Sequence, residues 1–483
     1  MRALAIHGHF YQPPREDPLT GMIPSEFGAA PFTNWNERIH AECYRPNADL
    51  GNFERISFNI GPTLASWMEG YDAPTYCKIV EQDRANVRRF GVGNAIAQSY
   101  NHTILPLASR ADKVTQVAWG IADFEHRFGR KPQGLWLPET AVNTETLDVM
   151  ADAGIEFTIL APWQAEREHI DTTEPYRVVL PNGNSMVVFF YDRDLSGRVS
   201  FDPALTSNAD AFALHDLQHH YHHAKAQRGE PQLVLVASDG ELYGHHQPFR
   251  DYFLARLLSG ASELSGLTPT FPARWLRDYP PQRTVGIREN TSWSCHHGVM
   301  RWAADCPCAP GEHGWKARLR TGLNQVASAL DELYTVEVRR YVADPLALRH
   351  RYIHVMLGEL SAGDLIGEAA GRRLPAVVLD RIQVLLESQR ERQRMFTSCG
   401  WFFDDFDRIE PKNNVAYAAH AVVLARRATG VDLAPVALAA LGDVRSRRTG
   451  LSAGQVFEHY LRRAPAYQGV LGQRTEQQSF RFA

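Results

Sequence analysis

The 483-residue sequence lacks a long apolar run and has only six cysteines. A membrane-spanning helix needs about 20 consecutive apolar residues, so we expect no such helix. The first residues, MRALAIHGHFYQPP, have no long apolar core and no cleavage site, and we expect a first strand there rather than a signal peptide. Few cysteines and no leader predict a cytoplasmic protein with free thiols.

A strong excess of charge of either sign is also absent. The formal net charge is -4, and charged residues make up 22% of the chain. Nucleic-acid-binding proteins are usually strongly basic, so nothing in this balance indicates nucleic acid as the main partner, and we expect none. The length suits a barrel with an appended domain. Nothing in the sequence indicates an oligomeric state.

Short apolar runs alternate with helical patterns over the first ~300 residues. Runs this short are typical of parallel strands that are buried on both faces of a sheet. The pattern predicts an α/β fold, and in barrels of parallel strands the active site lies at the carboxyl ends of the strands. The predicted strands are Ala3–Ile6, Ile56–Ile60, Gly134–Leu137, Phe157–Leu160, Met186–Tyr191 and Leu233–Ala237.

The pattern becomes purely helical from about Gly311. Apolar residues recur there at spacings of three and four, which predicts one long helix with an apolar face formed by Leu319, Leu323, Val326, Leu330 and Leu333. Further helices are predicted at Pro345–Met356, Pro375–Thr397, Asn414–Thr429 and Ala434–Asp443. We therefore predict two domains, an α/β domain over residues 1–300 and a helical domain over residues 301–483.

Two strand ends carry acidic residues. The stretch GLWLPETAV ends a predicted strand at Glu139, which is either a catalytic acid or a helix-capping residue. The stretch VASDGELYGHH ends another at Asp239, and Glu241 follows two positions later. Residues two apart in a strand share a face, and two close carboxylates raise the pKa of one of them. A carboxylic acid that keeps its proton near neutral pH suits general acid catalysis, whereas Asp and Gly also favour an ordinary turn.

Histidines and cysteines offer metal sites as an alternative. His7 and His9 lie on one face at the end of the first strand, where they either bind a metal or hydrogen-bond a polar ligand. The helix predicted around HDLQHHYHHAK aligns His215, His219 and His223 on one solvated face. The stretch NTSWSCHHGVMRW and the residues after it place Cys295, His296, Cys306 and Cys308 close together in sequence. Thiolate and imidazole suit zinc, but structural thiols explain the same residues.

Taken in order, these stretches resemble the motifs of glycoside hydrolase family 57, and more closely a subgroup of that family with an uncharacterised helical C-terminal domain. HGHFYQPP, GNAIAQSYNHTILPL, GLWLPE, ASDGELYGHH and SWSCHHGVMRW are similar to its five motif regions. The resemblance implies an incomplete (β/α)7 TIM-like barrel followed by an α-helical domain that contributes to the active-site cleft. It also implies an enzyme that acts on α-1,4-glucans or maltooligosaccharides through a covalent glycosyl-enzyme.

The resemblance assigns roles to residues of this sequence. The matched motifs make Glu139 the nucleophile and Asp239 the general acid/base. The residues expected to bind substrate are His7, His9, Gln12, His102, Trp136, Glu241, His245, Trp293, His297 and Trp302. The resemblance implies a reaction that needs no cofactor and no metal. Whether water or another sugar takes up the glycosyl group stays open, so hydrolase, glucanotransferase and branching activities are all compatible with the motifs.

Two other functions fit parts of the sequence. In a metal-dependent carbohydrate deacetylase, His7, His9 and Asp239 would hold a divalent ion that activates water. In a catalytically inactive α-glucan-binding protein, the same cleft would bind substrate without turning it over. The deacetylase leaves Glu139 without a role, and the presence of both carboxylates gives the inactive binder no positive support.

Overall fold

The computed structural model describes residues 1–308 and 314–464, and these residues form two compact units. Unit 1 comprises Met1–Pro14 and Pro24–Val299, and unit 2 comprises Arg15–Ile23 and the residues from Met300 onward. The short segment Arg15–Ile23 thus belongs with the helical unit, although it lies within the sequence range predicted for the α/β domain. None of the described helices is long and apolar enough to cross a bilayer.

All strands of the described residues lie in unit 1. They are β1 (Arg2–Phe10), β2 (Ser57–Ile60), β3 (Ala97–Gln98), β4 (Leu135–Trp136), β5 (Phe157–Leu160), β6 (Tyr176–Val179), β7 (Ser185–Phe190), β8 (Gln232–Asp239), β9 (Thr268–Pro269) and β10 (Arg283–Thr284). Strand β1 pairs in parallel with β2, β8 and β9, β3 pairs in parallel with β4, and β5 pairs in parallel with β7. The predicted α/β class is confirmed.

Isolated β-bridges and one backbone hydrogen bond connect these sheets in the order of their strands along the sequence. A parallel bridge between Phe58 and Ala95 places β3 beside β2. A second parallel bridge, between Gly134 and Phe157, places β5 beside β4. The backbone N–H of Asp192, just after β7, donates to the carbonyl of Leu235 in β8 at 2.7 Å. Since β8 pairs with β1, the links run through seven parallel strands and return to the first.

Helices follow most of the strands in unit 1. They are α1 (Trp35–Ile39), α2 (Arg45–Asp49), α3 (Asn52–Arg55), α4 (Pro62–Tyr71), α5 (Ala73–Phe90), α6 (Arg110–Phe128), α7 (Thr144–Asp152), α8 (Arg193–Phe201), α9 (Ala209–Ala211), α10 (His223–Gln227), α11 (Arg250–Arg256), α12 (Ser262–Leu264) and α13 (Pro272–Asp278). Ser109 and Asn143 cap α6 and α7 by accepting from backbone N–H groups, which fixes where these helices begin after their loops.

Strand residues of unit 1 are buried on alternate sides. In β1, Ala3 and Ala5 belong to one apolar cluster, and Leu4 and Ile6 belong to another. The two sides of a strand differ because successive side chains point to opposite faces. Burial on both faces explains why these strands read as continuous apolar runs in the sequence.

The regular secondary structure in the described part of unit 2 consists of helices. Its helices are α14 (Met300–Ala303), α15 (Trp315–Arg339), α16 (Pro345–Arg351), α17 (Ile353–Met356), α18 (Ala362–Ala370), α19 (Ala376–Arg394), α20 (Ile409–Thr429), α21 (Ala434–Leu441) and α22 (Ala453–Arg463). The segment Arg15–Ile23 is tied to them by polar contacts, because Glu16 pairs with Arg394 at 3.5 Å and Asp17 pairs with Arg463 at 2.6 Å.

The predicted histidine-rich helix is wrong. A π-helical turn at Phe212–Asp216 and a 3-10 turn at Leu217–His220 end at Tyr221, which has an extended backbone, and α10 begins only at His223. His215, His219 and His223 therefore do not share one helical face. The spacing rule failed because it assumes an unbroken α-helix, and this segment changes its helical type twice.

Candidate active site

Glu139 lies in a tight turn directly after β4. The 3-10 turn Pro138–Thr140 places Glu139 and Thr140 in the left-handed region, with φ of 57° and 48°. Non-glycine residues avoid this region, and each instance costs about 1–3 kcal/mol. The backbone N–H of Trp293 donates to the Glu139 carbonyl at 3.0 Å, which helps to hold the strained turn.

Two donors fix the Glu139 carboxylate. The Ser294 hydroxyl donates to Glu139 Oε2 at 2.7 Å, and the Trp293 indole N–H donates to the same oxygen at 3.0 Å. Hydrogen bonds to an ionised acceptor are about twice as strong as neutral ones. The two bonds therefore favour the charged form of Glu139 and restrict where its carboxylate points.

Asp239 is the last residue of β8, and its side chain is accessible to solvent. The protein atoms around the carboxyl group nevertheless remove part of its hydration, and this desolvation is the largest cause of the rise in its pKa from 3.8 to about 7. The negative charge of Glu139 is the second cause of the rise. The two acids predicted from separate strand ends are thus electrostatically coupled, and Asp239 retains a proton near neutral pH.

Glu241 differs from Asp239 in position and environment. Strand β8 ends at Asp239 and a 3-10 turn begins at Gly240, so the two-residue alternation of a strand does not extend to Glu241. Glu241 is buried, and its Oε1 accepts from the Tyr44 hydroxyl at 2.7 Å and from the Tyr11 backbone N–H at 3.1 Å. Burial, followed by the charge of Asp239, raises its pKa to about 8.

Gly240 separates the two acids for a steric reason. A Cβ at this position would lie 2.4 Å from atoms of the Phe10 ring, which is fully buried. Phe10 belongs to β1, so only glycine lets the turn after β8 approach that strand so closely.

His7 and His9 are held by side chains from β2 and from the loop after β3. His7 Nδ1 lies 2.9 Å from Ser57 Oγ, and His7 Nε2 lies 3.2 Å from Asn59 Oδ1. The Asn59 amide donates to His9 Nδ1 at 2.9 Å, and His9 Nε2 lies 3.1 Å from His102 Nε2. Both nitrogens of each ring are therefore engaged.

The three histidines are neutral. Burial lowers the pKa of His7 to about 3 and that of His9 to about 4, and it lowers the pKa of His102 well below its usual value. A neutral imidazole offers one donor and one acceptor, as recognition of a hydroxyl requires.

Aromatic rings stack against these histidines. Trp136 stacks on His7 with ring centroids 4.7 Å apart and on His9 at 5.2 Å, and Trp293 meets the edge of Trp136 at 5.1 Å. Tyr11 stacks on His102 at 3.8 Å. Trp136 is fully buried, so it supports the imidazoles and presents no free face for sugar stacking.

The remaining predicted ligands lie in different surroundings. Gln12 is buried and donates to the Tyr44 hydroxyl at 3.2 Å, and His245 lies 2.5 Å from Glu42. His297 is exposed in unit 1, whereas Trp302 is fully buried in unit 2. A role in substrate binding stays a prediction for each of them.

Several residues at the site were not found from the sequence. Ser57 and Asn59 occupy the end of β2, so the rule that polar side chains collect at the carboxyl ends of strands had the information to find them. Ser294 lies inside a motif that was noted only for its Trp and His residues. Tyr44 comes from a π-helical turn, His40–Tyr44, and no sequence signal marks it.

The deacetylase arrangement finds no support in the geometry. In the part of the chain that the structure describes, His7, His9 and Asp239 do not come together as a group of metal-ligating atoms. The ring nitrogens of both histidines already contact Ser57, Asn59 and His102, and a metal would have to displace those contacts.

Two family models match different parts of this chain. The model of glycosyl hydrolase family 57 matches residues 82–284, and the model of a domain of unknown function (DUF3536) matches residues 312–470. These matches confirm the resemblance to glycoside hydrolase family 57 that the motifs indicated, and they place a domain of unknown function over the helical region.

Individual relatives are distant. An alpha-amylase of Pyrococcus horikoshii is 24% identical over 214 residues, which cover 43% of this chain and 31% of that protein. The chain therefore matches about a third of the length of this curated relative. A maltose-forming amylase from Pyrococcus sp. ST04 has a TM-score of 0.78 at 16% identity, with 97% of this chain and 94% of that chain covered. A family 57 branching enzyme from Pyrococcus horikoshii gives a TM-score of 0.62 at 16% identity, with 94% and 96% covered.

Proposed function

We propose that this protein is a retaining glycoside hydrolase or glucanotransferase that acts on α-1,4-glucans. The observation that carries the proposal is the pair Glu139 and Asp239. The Glu139 carboxylate accepts hydrogen bonds from Ser294 and Trp293, and the pKa of Asp239 is raised to about 7 by loss of hydration among the surrounding protein atoms and by the charge of Glu139. Retaining enzymes need one ionised nucleophile and one protonated acid, and the two environments favour that division.

In the first step, Glu139 attacks the anomeric carbon and forms a glycosyl ester. The bond from that carbon to the leaving oxygen breaks, and Asp239 gives its proton to this oxygen. In the second step, the ionised Asp239 takes a proton from water or from a sugar hydroxyl. The oxygen so activated bonds to the anomeric carbon, and Glu139 leaves as a carboxylate.

His7, His9 and His102 would line the sugar site as neutral groups. They donate and accept hydrogen bonds without adding positive charge beside the Glu139 carboxylate. A charged imidazole there would stabilise the free carboxylate and weaken it as a nucleophile. The low pKa values of His7 and His9 support this role because they exclude the charged form at neutral pH.

We further propose that the seven parallel strands form the incomplete barrel expected of the family. One apolar cluster supports this, because it contains residues from strands that belong to three separate sheets. Its members include Ala3 and Ala5 of β1, Trp136 of β4, Ile159 of β5 and Leu235 of β8. Side chains that fill the interior of a small barrel meet in this way.

Product analysis tests the proposal. The purified protein is incubated with maltoheptaose, amylose and glycogen, and the products are separated by chain length and linkage. Glucose or maltose alone indicates hydrolysis, chains longer than the starting oligosaccharide indicate transfer, and new α-1,6 branches indicate branching. The Glu139→Gln variant serves as the control and should release no product. Full activity of that variant would refute the assignment, and tight binding without any product from the wild type would favour the inactive binder.

A further inference from the structure

Gln164 lies in a short 3-10 turn, Pro162–Gln164, directly after β5 in unit 1. Its side chain is fully buried, and the proposed mechanism gives it no role. A glutamine amide has two N–H donors and an oxygen that accepts two hydrogen bonds. Leaving such groups unpaired in the interior is costly, so the partners of Gln164 show which segments it joins.

The amide of Gln164 uses all of its hydrogen-bonding capacity. Its Oε1 accepts from the Ala161 backbone N–H at 2.9 Å and from the Thr140 hydroxyl at 2.9 Å. Its Nε2 donates to the Thr140 carbonyl at 2.8 Å and to the Thr291 hydroxyl at 3.2 Å. The orientation of the amide is fixed, because a backbone N–H can only donate and a carbonyl can only accept. Gln164 thus joins its own turn to two other segments, one at Thr140 and one at Thr291.

The first of these segments is the turn that carries Glu139. Glu139 and Thr140 are consecutive non-glycine residues in the left-handed region, and such a conformation persists only where surrounding contacts hold it. Gln164 bonds to both the hydroxyl and the carbonyl of Thr140. It therefore restrains the side chain and the backbone of the residue next to Glu139.

The second segment supplies the donors to the Glu139 carboxylate. Trp293 and Ser294, which make these hydrogen bonds, follow Thr291 by two and three positions. The backbone of Gln164 is joined to the same part of the chain, because its carbonyl accepts from the Arg288 N–H at 2.7 Å. One buried residue is thus bonded on both sides of the candidate nucleophile.

We propose that Gln164 is a positioning residue that holds the turn of Glu139 and the donors of its carboxylate in one arrangement. This inference rests on the proposed function, in which Glu139 attacks the anomeric carbon. The amide acts through Thr140 and Thr291, since none of its hydrogen bonds goes to the carboxylate itself. A misplacement of about 1 Å can lower a catalysed rate by about 100-fold. Loss of Gln164 should therefore affect kcat much more than KM.

Steady-state kinetics on maltoheptaose with the full-length protein test this role. Gln164→Leu removes all four side-chain hydrogen bonds and should lower kcat roughly 10- to 100-fold, with KM little changed. The matched control is Gln232→Leu at the amino end of β8. Gln232 is also fully buried, and its amide accepts from the His222 N–H at 2.6 Å and donates to the His222 carbonyl at 3.1 Å. The control should be destabilised in thermal unfolding but should keep its kcat.

A second pair of variants serves if Gln164→Leu does not fold. Thr291→Val removes the hydroxyl that accepts from Gln164 and nearly preserves the shape of the side chain. It should lower kcat about 10-fold, whereas Thr291→Ser, which keeps a hydroxyl, should recover most of that loss. Equal kcat values for the two Thr291 variants would contradict the role of this hydrogen bond.

Hydrogen–deuterium exchange tests the positioning without any assay of activity. The backbone N–H of Val142 donates to the Thr291 carbonyl at 2.9 Å, and that of Trp293 donates to the Glu139 carbonyl at 3.0 Å. Peptides that contain these two N–H groups should exchange faster in Gln164→Leu than in Gln232→Leu.

The outcomes separate this inference from the proposed function. A Gln164→Leu variant that keeps wild-type kcat, or whose loss of kcat is matched by Gln232→Leu, would overturn the positioning role alone. A wild-type protein that turns over no glucan would refute the proposed function. In that case, equal exchange in the two glutamine variants would also refute the claim that Gln164 holds these segments, and faster exchange in Gln164→Leu would support it.

Discussion

The pKa of Asp239 gives the sharpest test of the paired acids. Asp239 must be protonated to act as an acid, so kcat/KM should fall above pH 7 by a factor of ten for each pH unit. Replacing Glu139 with Ala removes the neighbouring charge. The pKa of Asp239 should then decrease, because a nearby negative charge disfavours ionisation.

The structure bounds the size of this decrease. Loss of hydration among the surrounding protein atoms is the larger cause of the rise in the pKa of Asp239 from 3.8 to about 7, and the charge of Glu139 is the smaller one. Less than half of the rise should therefore disappear in the Glu139→Ala variant. We expect an apparent pKa below about 7 but well above the ordinary value of 3.8.

The measurement uses azide as an external nucleophile in the space left by Glu139→Ala. Azide-dependent cleavage of maltooligosaccharides is followed from pH 4 to 9 and compared with wild-type turnover. The basic limb should lie at lower pH in the variant, and it should be absent in Asp239→Asn. A limb that keeps its wild-type position would show that Glu139 exerts no electrostatic influence on Asp239, and our account of the pair would be wrong.

Three further perturbations test other parts of the structure. Ser294→Ala removes a hydrogen bond to a charged group, worth about 1.5–3 kcal/mol, so kcat should fall roughly 10- to 100-fold with KM little changed in steady-state kinetics. Glu241→Gln removes a carboxyl group whose pKa is about 8 in the folded protein and 4.5 as its ordinary value. Because the folded state keeps this proton to higher pH than the unfolded state does, the free energy of unfolding of the wild type should decrease between these two pH values. In thermal unfolding, the stability of the variant relative to the wild type should therefore increase up to about pH 8 and stay constant above it. Gly120→Ala brings a Cβ to 1.9 Å from a backbone oxygen and should lower the free energy of unfolding by about 2–3 kcal/mol, whereas Gly70→Ala meets no described atom within 4 Å and should raise it by about 0.5–1 kcal/mol.

The buried strands were predictable because a strand that is buried on both faces consists of consecutive apolar residues. Phe157–Leu160 was located to the residue, and Leu233–Ala237 lies within β8. The two-residue strands β3, β9 and β10 were missed, since so short a pairing leaves no pattern in the sequence. Strand β6, in which buried and exposed residues alternate, was missed as well. In the long helix α15, four of the five predicted apolar residues are buried, while Leu333 is half-buried and Tyr334 is buried in its place.

The acids were found from the motifs, but their environments were not. The sequence predicted that Glu241 would tune Asp239 from the same face of a strand. In the structure, loss of hydration and the charge of Glu139 raise the pKa of Asp239, and the charge of Asp239 in turn raises the pKa of Glu241. Glu241 is hydrogen-bonded to Tyr44 and to the Tyr11 backbone. Spacing along the chain cannot reveal a partner a hundred residues away or a turn that interrupts the alternation.

The left-handed backbone of Glu139 has a consequence for laboratory evolution. Glycine adopts this conformation without strain, so Glu139→Gly relaxes the turn by about 1 kcal/mol while it deletes the nucleophile. A library selected for heat resistance alone would therefore be drawn toward an inactive sequence at this position. Thermostable variants of this protein should be sought under a selection that also demands turnover, or with residue 139 held fixed.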